Sequence, residues 1–287
     1  MPVDTATNPL DGTRIAYRVF GAPPGPGLAP QGGDASDPAP APVVLVHGTA
    51  LSQAIWRGFG WVRALSPWRP VITLDLRGHG RSGAPHDPSA YAMDLMVADV
   101  VAVLDAVGAP VVHHVGYSLG ARVGFSLAAA HPDRLLSTSS LGGSPRSGVG
   151  VFDRVFFPGC IEVLETGGMP GFLAAWEQHG GHVMDAATRG AFLADDAGAL
   201  AAYMRESERD PGVPDDVVAA SAVPLLLVAG TRDAERLRAA RHVRTLRADA
   251  RLVELDGATH ASTPRHPDAL TAVTAFLAEV PASGADR

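Results

Sequence analysis

The sequence predicts an α/β protein with a doubly wound, mostly parallel sheet, and three observations carry that prediction. Short apolar runs alternate along the chain with longer stretches whose apolar residues recur at helical spacing. The run Val43-Val44-Leu45-Val46 is continuously apolar, the signature of a strand covered on both faces. Between residues 144 and 222 the alternation stops: apolar helical stretches continue without a convincing strand. The 287 residues therefore divide into a core of residues 1–143 and 223–287 and a helical cap or lid insertion of residues 144–222. Such lids shape substrate access.

Taken in order, residues 13–20 alternate as an early strand, and residues 21–42 form a flexible Pro/Gly-rich loop. Residues 43–46 are a buried strand that ends in His47-Gly48-Thr49-Ala50, and residues 54–65 can form a helix. Residues 71–75 are the next strand, followed by the loop of residues 76–82. Residues 91–107 place Leu95, Val97, Val100, Val101, Leu104 and Val107 at helical spacing. A strand at 110–115, a helix ending before Pro132 and a strand at 135–141 complete the first half. Within the insertion, helical stretches cover 151–164, 172–176 and 191–205. The sheet resumes at 224–229, a helix runs through 241–246, residues 251–255 form a strand, and 267–280 form the closing helix.

Composition excludes several functions. A hydrophobic content of 46% and a charged content of 18% are those of a soluble globular chain. No apolar run approaches the roughly 20 residues that span a bilayer. Residues 1–10 have neither a basic nor an apolar leader segment, so the expected location is cytoplasmic. A net charge of -7 argues against a nucleic-acid surface, which requires a basic patch. The expected partner is a small-molecule substrate, with no nucleic acid and no membrane. Cys160, the single cysteine, can form neither an intramolecular disulfide nor a cysteine-based metal site, and reads as a packing residue. All 23 Lys+Arg residues are arginines. The absence of lysine removes Schiff-base chemistry, pyridoxal phosphate attachment, the P-loop lysine and the Ser-x-x-Lys pair together.

Gly116-Tyr117-Ser118-Leu119-Gly120 lies between an apolar run and a helical stretch, the context of a nucleophile elbow. In a G-x-S-x-G turn the serine is held in a strained conformation, and the glycines remove Cβ atoms that would collide. An acid and a histidine follow in the required order. Gly230-Thr231-Arg232-Asp233 and Gly257-Ala258-Thr259-His260 each come directly after a predicted strand. A serine hydroxyl needs a base within hydrogen-bond reach, and the base needs an orienting carboxylate. Ser118 is thus the expected nucleophile, His260 the base and Asp233 the orienter. A parallel sheet delivers all three to one edge.

With His47-Gly48 after a strand and the Asp75-x-Arg77-Gly78-x-Gly80-x-Ser82 loop, these motifs make the chain resemble the α/β-hydrolase fold superfamily, specifically its capped serine ester and lactone hydrolase branch. The likeness spans nearly the whole chain. It implies an oxyanion hole built from the N–H groups of Leu119 and Thr49, with Ala50 the alternative to Thr49. The Thr49 hydroxyl either assists the oxyanion or satisfies nearby backbone as a turn residue. The resemblance implies hydrolysis of a small or medium, largely apolar carboxylic ester or lactone, with no cofactor and no metal. The same site is also compatible with C–C bond or thioester hydrolysis, acyl transfer, perhydrolysis or a lyase reaction, and the fold with a non-catalytic ligand-binding relative. Haloalkane dehalogenases and epoxide hydrolases use aspartate at the elbow, where this chain has serine.

Other candidates carry plainer readings. His47 supports its turn, and Asp75 and Arg77 brace their loop. Asp256, four residues before His260, ends the last strand and rivals Asp233 as the acid. His179 and His182 form a pair too small for a zinc site. His113 and His114 lie within a strand, where burial is expected. The arginines from Arg232 to Arg251 form a solvated face. Phe152, Phe156, Phe157, Met169, Phe172 and Trp176 either line an apolar pocket or pack the cap.

Overall fold

A computed structural model describes residues 3–21, 40–146, 148–181, 183–184 and 186–280. Eight strands form one sheet: β1 (Asp4–Thr7), β2 (Arg14–Phe20), β3 (Val43–Val46), β4 (Val71–Leu74), β5 (Val112–Tyr117), β6 (Leu135–Leu141), β7 (Leu225–Gly230) and β8 (Arg251–Leu255). Their order is β1-β2-β4-β3-β5-β6-β7-β8. β1 pairs antiparallel with β2 and β2 with β4, while the remaining neighbours are parallel. Strand order therefore reverses between β3 and β5, where doubly wound sheets open a crevice at their carboxyl edge.

The strands explain the layers. In β3, Val44 and Val46 pack toward one apolar cluster and Val43 and Leu45 toward another, as the two-residue side-chain period requires. The first cluster contains side chains of α3 (Met93–Ala106) and α4 (Leu119–Ala130), and the second those of α2 (Trp61–Leu65) and α11 (Pro267–Glu279), along with Trp56 of α1 (Ala54–Gly58). Helices cover both faces, and every side chain of β3 is buried.

The structure corrects several boundaries. The single helix expected over residues 54–65 is two short ones, because Gly60 takes φ 84° between α1 and α2. The strand expected at 110–115 starts later and runs to Tyr117, directly into the elbow. β1 escaped the sequence reading because Asp4–Thr7 buries only Ala6; pairing with β2, not hydrophobic pattern, defines it. The Pro/Gly-rich segment lies almost wholly at residues 22–39, outside the described residues.

Between β6 and β7 the described chain is helical: α5 (Val151–Val155), α6 (Cys160–Gly180), α7 (Ala186–Leu193), α8 (Ala197–Arg209) and α9 (Asp215–Ala220). The helix expected over 151–164 divides at Pro158-Gly159, where Gly159 has φ 75°. That expected over 191–205 divides at Asp195-Asp196, and Asp196 caps α8 by accepting from Ala199 N–H at 3.0 Å. Helix α6 kinks at Gly168, which has φ 59° and ψ -167°. The aromatic residues of this segment pack mainly on one another: Phe156 lies 5.2 Å from Phe172 and 4.9 Å from Trp176, and Trp176 lies 5.4 Å from Phe192. Cys160 is fully buried, and burial beside Asp153 pushes its thiol up to about 12.

Beneath the loops after β3 and β4 lies a buried polar layer. Arg77 donates to both carboxylate oxygens of Asp99, Nε at 2.6 Å and Nη2 at 2.7 Å, and both side chains are fully buried. It also reaches Asp11 and the Ala90 carbonyl. Asn8 donates to Asp99 at 2.7 Å. Removing one partner of a buried pair strands the other charge, a loss of about 3–5 kcal/mol. Asp99→Ala should therefore lose about 3 kcal/mol in urea unfolding, whereas a loss under about 1 kcal/mol would show Asp11 and Ala90 to be sufficient partners for Arg77.

Asp195 stands at the α7 to α8 connection, and burial, with the charge of Asp75 adding to it, pushes its carboxyl up to about 7. The folded state holds this proton more tightly than the unfolded chain, so stability falls as pH rises from about 4 to about 7. Asp195→Asn should accordingly stabilise the protein at pH 8 by about 1–2 kcal/mol and much less at pH 4. Equal effects at the two pH values would refute that origin.

Candidate active site

Helix α4 begins so close to β3 that its first turn has no room for certain side chains. A Cβ on Gly116 would overlap the Gly120 backbone, and one on Gly120 would overlap the Val46 carbonyl. Ser118, between them, takes φ 52° and ψ -108°, one of two non-glycine residues with positive φ among the described residues. This conformation is sterically costly for a residue with a Cβ. It is held by Ser118 N–H donating to Leu141 O at 3.0 Å and by Arg122 N–H donating to Ser118 O at 3.1 Å. The turn projects Ser118 beyond the carboxyl end of β5, partly exposed.

The carboxyl ends of β7 and β8 bring the other two predicted residues to it. His260 Nε2 lies 3.0 Å from Ser118 Oγ, and His260 Nδ1 lies 2.7 Å from Asp233 Oδ2. With Asp233 accepting at Nδ1, the imidazole proton sits there and Nε2 is left to accept from the serine hydroxyl. Asp233 is also the N-cap of α10 (Ala234–Leu246), so its backbone position is set by a helix start. Asp256 instead accepts from Thr231 Oγ1 at 3.4 Å, on the exposed side of the turn. Of the two candidate acids, the one beside the histidine is Asp233.

The loop after β3 closes on the serine from the neighbouring strand. A Cβ on Gly48 would stand 3.2 Å from Ser118 Cβ and 3.0 Å from the Tyr117 ring. His47 pins the loop: Nε2 accepts from Leu76 N–H at 3.0 Å and Nδ1 donates to Gly48 O at 2.8 Å. Complete burial lowers the His47 pKa, and its neutral form fits both bonds. Asp75 secures the far end of the loop, accepting from Gln53 N–H at 2.8 Å and Gln53 Nε2 at 3.0 Å. Ala50 takes φ 55° and is buried, while Thr49 is partly exposed. The Thr49 hydroxyl lies 3.2 Å from the Tyr203 hydroxyl of α8. Leu119 is the first residue of α4, so its N–H has no acceptor within the helix.

Three residues at this site were not anticipated. Tyr117 donates to the His260 carbonyl at 3.1 Å and places its ring 5.3 Å from the imidazole. Gly142, with φ 58°, leaves space that a Cβ would fill at 3.3 Å from His260 Nδ1. Tyr203 belongs to the inserted helices, and only its place in an apolar helical stretch was visible in the sequence. His79, next to His47 at 5.3 Å between ring centroids, is buried and held neutral, its pKa pulled down to about 3.

The remaining candidates lie elsewhere. His113 is buried against Ser137 at 2.8 Å, and burial pulls buried His114 down to about 4. His179 is exposed at the end of α6, and His182 lies outside the described residues. Among the described residues no group of three or more His, Cys, Asp or Glu is arranged to hold a metal ion. Arg241, Arg247 and Arg251 pair with Glu254, Asp249 and Glu279. No helix among the described residues is long and apolar enough to cross a membrane.

The chain is similar to known proteins in sequence and in fold. A family profile described as alpha/beta hydrolase fold matches residues 41–159. RutD of Caulobacter segnis, which carries the name of a carbamate hydrolase, is 42% identical over 93 residues, 32% of this chain and 34% of that protein. Rhodomycin D methylesterase DnrP of Streptomyces peucetius is 40% identical over 113 residues, 38% of this chain and 37% of that protein. The chain thus spans about a third of the length of these curated relatives. The enol-lactonase of Burkholderia xenovorans LB400 superposes with a TM-score of 0.76 over 97% of this chain and 100% of that one, at 24% identity. Strand order, the matched profile and the superposition together show that the chain adopts the α/β-hydrolase fold.

Proposed function

We propose that the protein is a cofactor-independent serine hydrolase of the cytoplasm, acting on a small or medium, largely apolar carboxylic ester or lactone. The observation that carries the reading is the continuous hydrogen-bonded line from Asp233 through His260 to Ser118, with spacings of 2.7 and 3.0 Å. His260 takes the proton as Ser118 Oγ attacks the acyl carbon, and Asp233 orients the imidazole and stabilises its cationic form. The N–H groups of Leu119 and Thr49 receive the oxyanion. His260 then protonates the departing alkoxide, giving an acyl-serine, and the same base activates water to release the acid. The similar proteins are named for a carbamate, a methyl ester and an enol-lactone, which share an acyl carbon attached to a heteroatom leaving group. The helices between β6 and β7 act as the cap over this edge.

A fluorophosphonate probe should label Ser118, and p-nitrophenyl esters of increasing acyl length should turn over. Ser118→Ala should abolish labelling and lower kcat by about 10⁴-fold or more. Asp233→Asn, which disturbs the imidazole tautomer, should lower kcat by about 10³–10⁴-fold, with Asp256→Asn within about threefold of the parent. Unchanged turnover in Ser118→Ala would sink the mechanism. Ligand binding without turnover in the parent protein would favour the binding-module alternative.

A further inference from the structure

Helix α8 touches both elements that would supply the oxyanion donors. At one point Tyr203, 3% exposed, places its hydroxyl 3.2 Å from Thr49 Oγ1. One turn later Ser207 Oγ accepts from Arg122 Nη1 at 2.8 Å. Just past the helix, Asp210 approaches Arg122 Nη2 at 2.7 Å. Arg122 is 4% exposed and sits on the first turn of α4, its own N–H donating to the Ser118 carbonyl. Tyr203 and Ser207, four residues apart, share a helix face. Helix α8 thus bridges Thr49, through Tyr203, and Arg122, through Ser207.

A guanidinium only donates, so Ser207 Oγ accepts from Arg122. Burial away from water strengthens this bond and the one shared by the Tyr203 and Thr49 hydroxyls.

We propose that Tyr203 is a positioning residue of the oxyanion site, fixing the Thr49 loop to helix α8, which Ser207 in turn ties to Arg122 on the helix that begins at Ser118. The cap is then part of the catalytic frame as well as a cover. This rests on the serine-hydrolase reading above. A slack loop would leave the Thr49 N–H misaligned for the tetrahedral oxyanion while still admitting the ground-state ester, so the loss falls on kcat.

Tyr203→Phe removes one oxygen and keeps the ring that packs on His79, Tyr91 and Phe152. With a p-nitrophenyl ester, kcat should fall by about tenfold, less than the 10²–10³-fold cost of deleting an oxyanion donor, with KM within about twofold. The inhibition constant of a matching trifluoromethyl ketone, whose hemiketal oxyanion uses the same donors, should rise in parallel. Thr49→Val should give a similar loss, and the Thr49→Val/Tyr203→Phe double variant should be no worse than the poorer single one. Ser207→Ala provides the same test should Tyr203→Phe not fold. Unchanged kcat in a folded variant, a change confined to KM, or additive losses in the double variant would overturn the positioning role alone. A parent protein that neither reacts with fluorophosphonate nor hydrolyses esters would overturn the serine-hydrolase reading and this inference with it.

Discussion

The close approach of helix α4 to the backbone of β3 is the constraint on which the site depends. Glycines surround that first turn because other atoms occupy the space a Cβ would need: the Gly120 backbone at Gly116, the Val46 backbone at Gly120, and the Ala121 side chain at Gly143. Such packing leaves one way for the chain to leave β5 and enter α4, through a residue at φ 52°. A conformation of this kind costs of order 1–3 kcal/mol and persists only where its surroundings over-determine it. Here the sheet bond to Leu141 on one side and the helix bond from Arg122 on the other do so. The strain turns the serine out of the sheet and toward the imidazole.

A second layer of constraint is electrostatic. The loops after β3 and β4 contain little apolar surface of their own, so they cannot be held by packing alone. Buried polar groups hold them instead: Asp75 on Gln53, His47 between Leu76 and Gly48, and Arg77 on Asp99. Buried ion pairs seldom add net stability over well-packed apolar residues, because desolvation offsets their attraction. Their value in this fold is geometric: each bond has a direction, and together they set the Gly48 backbone against Ser118. The neutral state of His47 and His79 belongs to the same arrangement, since two charged imidazoles 5.3 Å apart without water would repel one another.

Much of this was legible in the sequence because short-range steric rules wrote it there. Gly116 and Gly120 flank a serine only where backbone must approach closely, and the apolar runs at β3 and β7 are continuous because both sheet faces are covered. Asp233 and His260 were found from their positions just after strands, which the parallel topology converts into proximity. The missed features depend on partners distant in the chain. β1 has no apolar pattern and exists through pairing with β2. Splitting at Gly60 and Gly159 reflects a left-handed turn that glycine allows but does not compel. Tyr203 is 154 residues from Thr49, and nothing local to either residue marks the pair.

The inserted helices follow a different logic from the sheet. Their large side chains are spent largely on one another: Phe156, Phe172, Trp176 and Phe192 form a chain of edge-on and tilted contacts, and Phe152 packs on Tyr203. A segment packed in this way behaves as a block, so a displacement of α8 is shared by its neighbours. The block meets the core at polar points as well as apolar ones, through Tyr203 on Thr49 and Ser207 and Asp210 on Arg122. Hydrogen bonds there tolerate less displacement than apolar contact, because their strength falls steeply with angle and distance. A substitution deep in the aromatic cluster can therefore reach the Thr49 loop without touching it, by tilting α8. In this architecture the packing of the inserted helices and the position of the Thr49 loop are mechanically joined.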